Sequence, residues 1–537
     1  IALDPSDALV TTFTAPAAVG GDQLRRFRLE VRSPPLCSGV PPACLSGSVE
    51  TTVTITDRQG PRARLVGTPP FDRAAPLIVE FDEPVINVTN INLQVFNGTL
   101  SVPAVVVQDS PSRYQLVPDL ALLVGPTWNV RVSGTIQDLT RGTQTAGQNL
   151  PFTVRAANVT TLNSATVSTA PTAPRPGLAV IAPRPGGPAE TTAVIAGWRD
   201  TQTMLFRPVP PSATALAEDT SLSATGLVGN NPSRRLFAVG SRVYAVVDTA
   251  SGGTWTNPSD GALFTLDTST PNPLWSRVVQ PQTSGVVNWP TSVPGPLFTD
   301  GTSLFTAATT PSGLLVARLL AQGQWPDFIV NPSFAEVLDS TPSMAPPGQT
   351  RASAAVFGST RALASLTGNA VVLRRSSAIN NWTSTAPSVP LTYPGSAPKS
   401  LRVALVTGIG GVVAAAPNVA SSEVLQLNSH LPAGWSSNLP LPASILSPTT
   451  SFDLVGAANG AHLFLAAVTQ GKLFVWRRSG IAGSAWELVE GRNGDQSVHD
   501  LACTPENPEL ALTPDAVYVT WAERCAGSWR VAFARIE

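Results

Sequence analysis

Short runs of alternating apolar and polar residues recur along the whole chain. RFRLEVR (26–32) and ETTVTIT (50–56) are examples, and short apolar runs such as RVYAVVD (242–248) and HLFLAAV (462–468) stand beside them, all separated by clusters of Gly, Pro, Asn and Ser. Alternation with a period of two marks a half-buried strand. Amphipathic helical periodicity is almost absent. The pattern predicts an all-β protein.

From residue 191 onward the runs return in a fixed order. Trp275, Trp325, Trp382, Trp435 and Trp486 are spaced 50, 57, 53 and 51 residues apart. Each follows a short strand (ALFTLD, LLVARLL, AVVLRR, EVLQLN, LFVWRR), and each of those follows a further apolar run. The unit is therefore three strands and a Trp-marked fourth. Four antiparallel strands in a period of about 50 residues are the mark of a β-propeller blade. Seven units are counted, with six or eight blades as the neighbouring alternatives. One large aromatic per unit is expected to pack between adjacent blades, with sugar stacking as the second reading.

The last unit, closing with YVTWAE and RVAFARI, has only three strands. It resembles a broad group of bacterial propellers whose blades carry a P-x-L-A-L strand followed by Y-V-A-W-x-E. A ring ending in three strands needs a donor from its other end. NVTTLNSATVST (158–169) precedes a Pro-rich stretch and is the expected donor, pairing with 530–536. The propeller is then 157–537.

Residues 59–156 carry the phrase FDEPV (81–85), then LLVGPTWNVRVSGTIQDLTRG (122–142), then LPFTV (150–154). The order resembles the bacterial Ig-like domain of S-layer and other surface proteins, with Trp128 where Tyr is usual. Phe81, Leu123, Trp128, Val130 and Val132 suit inward positions of a sandwich. Residues 1–58, with FTAP (13–16) and VTIT (53–56), resemble the second half of a PKD-like Ig domain. Half a sandwich leaves an edge that missing sequence or another subunit is expected to pair. The adjacent acids Asp82 and Glu83 belong to the turn phrase and read as structural.

Composition narrows the class. Charged residues are 13% and hydrophobic residues 43%, which excludes a disordered chain. A net charge of -1 excludes the electrostatic footprint of a nucleic-acid binder. The longest apolar stretch, 402–420, is broken by Gly408, Gly410 and Gly411, so no transmembrane helix is expected. Cys37 and Cys44, and Cys503 and Cys525, form two local pairs. Local pairing in a loop-rich β protein predicts disulfides and an oxidising compartment. The expected location is secreted or at a bacterial cell envelope, with any export signal or lipid anchor in residues outside this sequence.

Candidate chemistry is sparse. There is no Asp-box, no D-x-D-x-D run, no G-x-S-x-G elbow and no His pair at metal spacing, so neither metal nor cofactor is expected. Long loops join the second to the third strand of a unit, and the fourth to the first strand of the next. Both sets emerge on one propeller face. That placement brings Trp255, Trp289, Asp200, Glu523, His499 and Asp500 to one side as candidate ligand-binding residues. Loop anchoring and solvated charge are the plainer readings of these side chains. Trp plates and carboxylates suit a glycan or a polar protein surface. The expected function is non-catalytic recognition of a protein or glycan at the cell surface, with Ig-like modules as stalk. A propeller-type glycosidase or lyase, or a structural subunit of a surface layer or filament, is the alternative. Two carboxylates in the propeller mouth would favour the enzyme.

Overall fold

The computed structural model describes residues 23–32, 46–55 and 60–165 (apart from 98–99, 120, 124–127 and 140–143), then 173–181, 191–219 (apart from 200–201), 236–248 and 261–277 (apart from 271). Between 294 and 456 it describes the strands and residues 441, 442 and 445, and from 457 to 537 all but 458–459 and 481–483. These residues form strands and connections, with no helix among them. Accordingly no helix among the described residues is long and apolar enough to cross a membrane. The chain divides into two compact units, Ile1–Ala156 and Ala157–Glu537.

In the first unit, Gln23–Arg32 and Ser46–Ile55 form an antiparallel hairpin, with Phe27 opposite Thr51 and Leu29 opposite Val49. Cys37 and Cys44 fall between the two strands, outside the described residues. Downstream are two four-stranded antiparallel sheets. One runs in the order Ala63–Val66, Leu77–Phe81, Arg113–Pro118, Ala104–Ser110; the other in the order Gln148–Phe152, Trp128–Val132, Leu93–Asn97, Leu100–Val102. Alternate positions are buried in Leu77–Phe81, Arg113–Pro118 and Trp128–Val132, as a pleated strand with one face on a core requires. Phe81, Leu123, Trp128, Val130 and Val132 are all buried. The Trp128 indole donates to the Leu123 carbonyl at 2.7 Å and stacks near Phe152, so its one polar atom is satisfied inside the core. Asp82 accepts from the Arg62 amide at 2.8 Å and Glu83 is buried, which fits their structural reading.

The second unit is a β-propeller. Seven sheets are present among its described residues, and within the first six the strands follow chain order. Their first strands are Gly177–Ile181, Phe237–Val239, Pro294–Thr299, Ala352–Phe357, Ser400–Val406, Thr449–Gly456 and Thr504–Leu512. Each first strand adjoins the first strand of the next sheet, and the last adjoins the first, so these strands form a closed ring. The approach is close: a Cβ on Gly456 would lie 2.5 Å from the Leu405 carbonyl oxygen of the neighbouring first strand. The seventh sheet has Thr504–Leu512, Val517–Cys525 and Ser528–Ile536, and takes its outer strand from Val159–Asn163. That strand pairs antiparallel, Val159 with Ile536 through Asn163 with Ala532.

Apolar clusters fill the spaces between sheets. Trp275 packs with Ala179, Ile181 and Val194 of the first sheet, and its indole donates to the Phe206 carbonyl at 3.1 Å. Trp529 lies in a cluster joining Phe533 and Leu162 to Leu178, Ile195 and Phe206. Trp486 packs against a cluster shared by the fifth and sixth sheets. The side chains of Trp325, Trp382 and Trp435 lie outside the described residues.

Three boundaries differ from the sequence expectation. The fourth strands of the third and fourth sheets are Glu336–Asp339 and Leu391–Thr392, downstream of Trp325 and Trp382. Strands of four and two residues are too short to display alternation. The first strand of the seventh sheet begins at Thr504, inside a stretch that reads as loop because of Pro505 and Pro508. A register shift between Glu506 and Glu509 accommodates Pro508 without a lost ladder bond, and Asn507 there has φ 51°.

Candidate functional site

The seventh sheet positions the first cluster. Val517–Cys525 is its central strand, and residues 518–523 are all buried. Glu523 stands directly opposite Arg530 on the next strand. Its Oε1 accepts from Arg530 Nε at 2.7 Å, and its Oε2 from the Trp521 indole at 3.0 Å. The Asn163 amide, oriented to donate, reaches Oε1 at 3.2 Å and ties the closing strand to the same carboxylate. Arg530 Nη2 also donates to Asp500 Oδ2 at 3.3 Å. The Ala502 amide, which donates to Asp500 Oδ1, and the Arg530 guanidinium hold the Asp500 carboxyl below its usual range.

Cys503 and Cys525 are joined by a disulfide that fixes the loop bearing Asp500 to the end of the central strand. Their sulfurs and a Glu523 oxygen lie within 4.8 Å of one another. Bonded to each other, the sulfurs are not thiolates, and this trio is structural rather than a ligand set.

His499 is buried, and its Nδ1 accepts from the Leu473 amide at 3.3 Å. Its carbonyl accepts from Asn493 at 2.8 Å. Burial pushes its imidazole down to about 4, against the pull of Asp495 and Asp500, so at neutral pH the ring is an uncharged acceptor.

Of the six expected ligand-binding residues, the structure thus groups Glu523 and Asp500 around Arg530 and places His499 just before them. Glu523 and His499 are interior groups engaged with their own chain, not members of an open face. Asp500 is part-exposed, its side chain 37% accessible. Asp200, Trp255 and Trp289 lie outside the described residues.

A second cluster contains none of the residues expected from the sequence. Arg402, Asp453 and Glu509 belong to the first strands of the fifth, sixth and seventh sheets. All three are buried. Arg402 Nε donates to Asp453 Oδ1 at 2.9 Å and Nη2 to Glu509 Oε1 at 3.2 Å. Asp453 Oδ2 accepts from the Leu510 amide at 2.8 Å. Ser353, from the fourth sheet's first strand, accepts from the Val403 amide at 3.0 Å. Charge therefore cross-links consecutive inner strands.

Arg175 and Glu506 extend this cluster toward the start of the strands. Burial and the neighbouring Arg402 hold Arg175 below its usual value. Burial raises the Glu506 carboxyl, opposed by Arg524 and Arg175. The available signal was periodic: Arg402 and Asp453 are 51 residues apart, the spacing of the repeat, each a single charge in an apolar strand.

No protein-family model matches the chain, and no curated protein matches it. Solved structures share its shape only loosely. A structural-genomics protein of unknown function from Bacteroides thetaiotaomicron VPI-5482 aligns with a TM-score of 0.42 at 10% identity, over 88% of this chain and 98% of that one. The polysaccharide lyase Uly1 aligns at 0.41 and 11% identity, over 67% and 90%. TolB from Acinetobacter baumannii aligns at 0.30 and 10% identity, over 67% and 80%. At these scores the likenesses carry no functional argument.

Proposed function

We propose that this is a non-catalytic recognition protein of the cell exterior, Ig-like modules carrying a seven-bladed propeller that binds a glycan or protein partner. The observation that carries the reading is how the described buried charges are used. Arg402, Asp453 and Glu509 bond to one another, and Glu523 and Asp500 share Arg530. Such groups lock strands together and do not present an acid and a base to a substrate. Recognition then falls to the face of Asp500 and the Cys503–Cys525 disulfide, with Trp255 and Trp289, expected from the sequence to be aromatic plates on long loops of that face, as its proposed contacts. The disulfide agrees with an oxidising compartment. The Gln23–Arg32 and Ser46–Ile55 hairpin is read as half a sandwich whose edge accepts a further strand.

The test is binding of the whole chain to a glycan array and to a surface-protein extract, compared with Trp255→Ala and Trp289→Ala. Loss of binding in variants that still melt as the parent does supports the reading. Unchanged binding in both removes it.

One observation favours the enzyme reading. Burial raises Glu506, as a general acid requires, and Arg175 and Arg524 are its charged neighbours. Turnover of a polysaccharide panel by the parent chain, lost in Glu506→Gln, would replace recognition by catalysis.

A further inference from the structure

Unpaired polar atoms concentrate at one end of the sixth sheet. Among the described residues eight buried side-chain polar atoms have no hydrogen-bond partner, and four are here: Nε and Nη1 of Arg478, Nδ1 of His462 and Oγ of Ser484. His462 opens the second strand, His462–Thr469; Arg478 is next to last in the third, Lys472–Ser479. Ser484 lies in the connection to the fourth, Trp486–Leu488. The register sets His462 opposite Ser479, and Arg478 between Leu463 and Trp486. This end is opposite to the one bearing Asp500 and the disulfide, so the inference is independent of the proposed recognition face.

Arg478 is only 3% exposed. Of its flanking positions, Leu463 belongs to the apolar cluster shared with Ala404, Val406 and Leu427 of the fifth sheet, and the part-buried Trp486 packs against that cluster. Its chain neighbour Arg477 is equally buried, yet Arg477 Nε donates to Glu487 Oε2 at 3.1 Å. Two consecutive arginines are therefore treated differently: among the described residues one has a counter-ion and the other has none. A guanidinium cannot shed its proton, and a buried cation is tolerated when an anion compensates it. His462 stands opposite Ser479, one position out of step with Arg478, and so projects from the other face of the sheet beside Arg477; burial, then Arg477, pushes it down to about 3. Ser484 adds a hydroxyl that can donate.

We propose that this end of the sixth sheet binds an oxyanion, a carboxylate, sulfate or phosphate group, held by the Arg478 guanidinium with Ser484 as a further donor. The occupant is a small acid or the acidic group of a larger ligand, and the two are separated by the probe.

The test uses the whole chain and three probes: inorganic sulfate, inorganic phosphate and galacturonate, at constant ionic strength against chloride. Calorimetric titration and thermal unfolding are followed for the parent, Arg478→Gln, Arg478→Lys and Ser484→Ala. Sulfate and phosphate stabilise proteins in general by exclusion from their surfaces, so the informative quantity is the difference between variants in the same salt. The parent is expected to show saturable binding of at least one probe, with apparent Kd raised at least about tenfold in Arg478→Gln. Arg478→Lys and Ser484→Ala are expected to weaken it less. Preference for the tetrahedral anions assigns a sulfate or phosphate group; preference for galacturonate assigns a sugar carboxylate. Equal responses in parent and Arg478→Gln overturn the proposal. If Arg478→Gln does not fold, parent-like responses in both other variants overturn it.

Discussion

Arg402 and Asp453 stand on the first strands of adjoining sheets, and their side chains meet at 2.9 Å with almost no access to solvent. Glu509 from the next sheet completes the contact at 3.2 Å. Three of the strands that line the ring are thus bound by one guanidinium. Removing only Arg402 leaves two buried carboxylates without it, whereas replacing all three charges leaves apolar surface. Arg402→Met is expected to cost about 3–5 kcal/mol in chemical denaturation. The triple change Arg402→Met, Asp453→Leu, Glu509→Met is expected to recover part of that loss, though it leaves the Leu510 amide without its acceptor.

The Val159–Asn163 strand makes the seventh sheet four-stranded, and Leu162 enters the cluster between the seventh and first sheets. Leu162→Ala is expected to destabilise the propeller by about 2–5 kcal/mol. Deleting residues 157–165 should lower its melting temperature further, because the Ser528–Ile536 strand loses its outer ladder. A propeller transition unchanged by the deletion would show that the outer strand contributes nothing.

The disulfide spans 22 residues of sequence. Chain-entropy arguments give about 3 kcal/mol for a loop of that order. A Cys503→Ala, Cys525→Ala double variant is expected to unfold at lower denaturant by that amount. Non-reduced intact mass should be lower than the reduced mass by the hydrogen atoms that reduction adds to the bonded cysteines.

Two buried histidines set an acid limit. His499 titrates at about 4 and His462 at about 3 in the folded chain, both depressed chiefly by burial. An unfolded histidine titrates near 6.5, so between those values the unfolded chain binds more protons. Stability from each is fully present above pH 6.5 and is lost as pH falls through the folded value. For His499 the loss is about 3 kcal/mol by pH 4. His499→Asn should flatten the dependence of unfolding free energy on pH between 6.5 and 4, and a profile identical to the parent's would remove this role.

What sequence could reveal follows the reach of alternation. It places Val130 and Val132 on the buried face of a strand, because a period of two is visible in a single segment; RVYAVVD and HLFLAAV are legible instead as short apolar runs, and every position of His462–Thr469 is buried. A missing fourth strand in the last unit points to 158–169, where Val159–Asn163 is found. The Trp275 contact between sheets is legible because the residue recurs with the repeat. Elements without internal period escape, such as the two-residue strand Leu391–Thr392. So do contacts between repeats: nothing near Arg402 in sequence announces Glu509, 107 residues away. Glu523 looks like a surface charge after Trp521 and Ala522, yet cross-strand pairing with Arg530 draws it inside.

The borrowed outer strand also constrains when the ring can form. Ser164, just past that strand, bonds to Val531, which is made 367 residues later. During synthesis the Val159–Asn163 segment has no partner until Ser528–Ile536 has emerged, so each earlier sheet assembles on an open ring. Long-range closure of this kind is slow and leaves unpaired edges exposed. Native topology is then reached in a final step that joins the propeller's beginning to its end, and a protease acting before that step meets an unclosed ring.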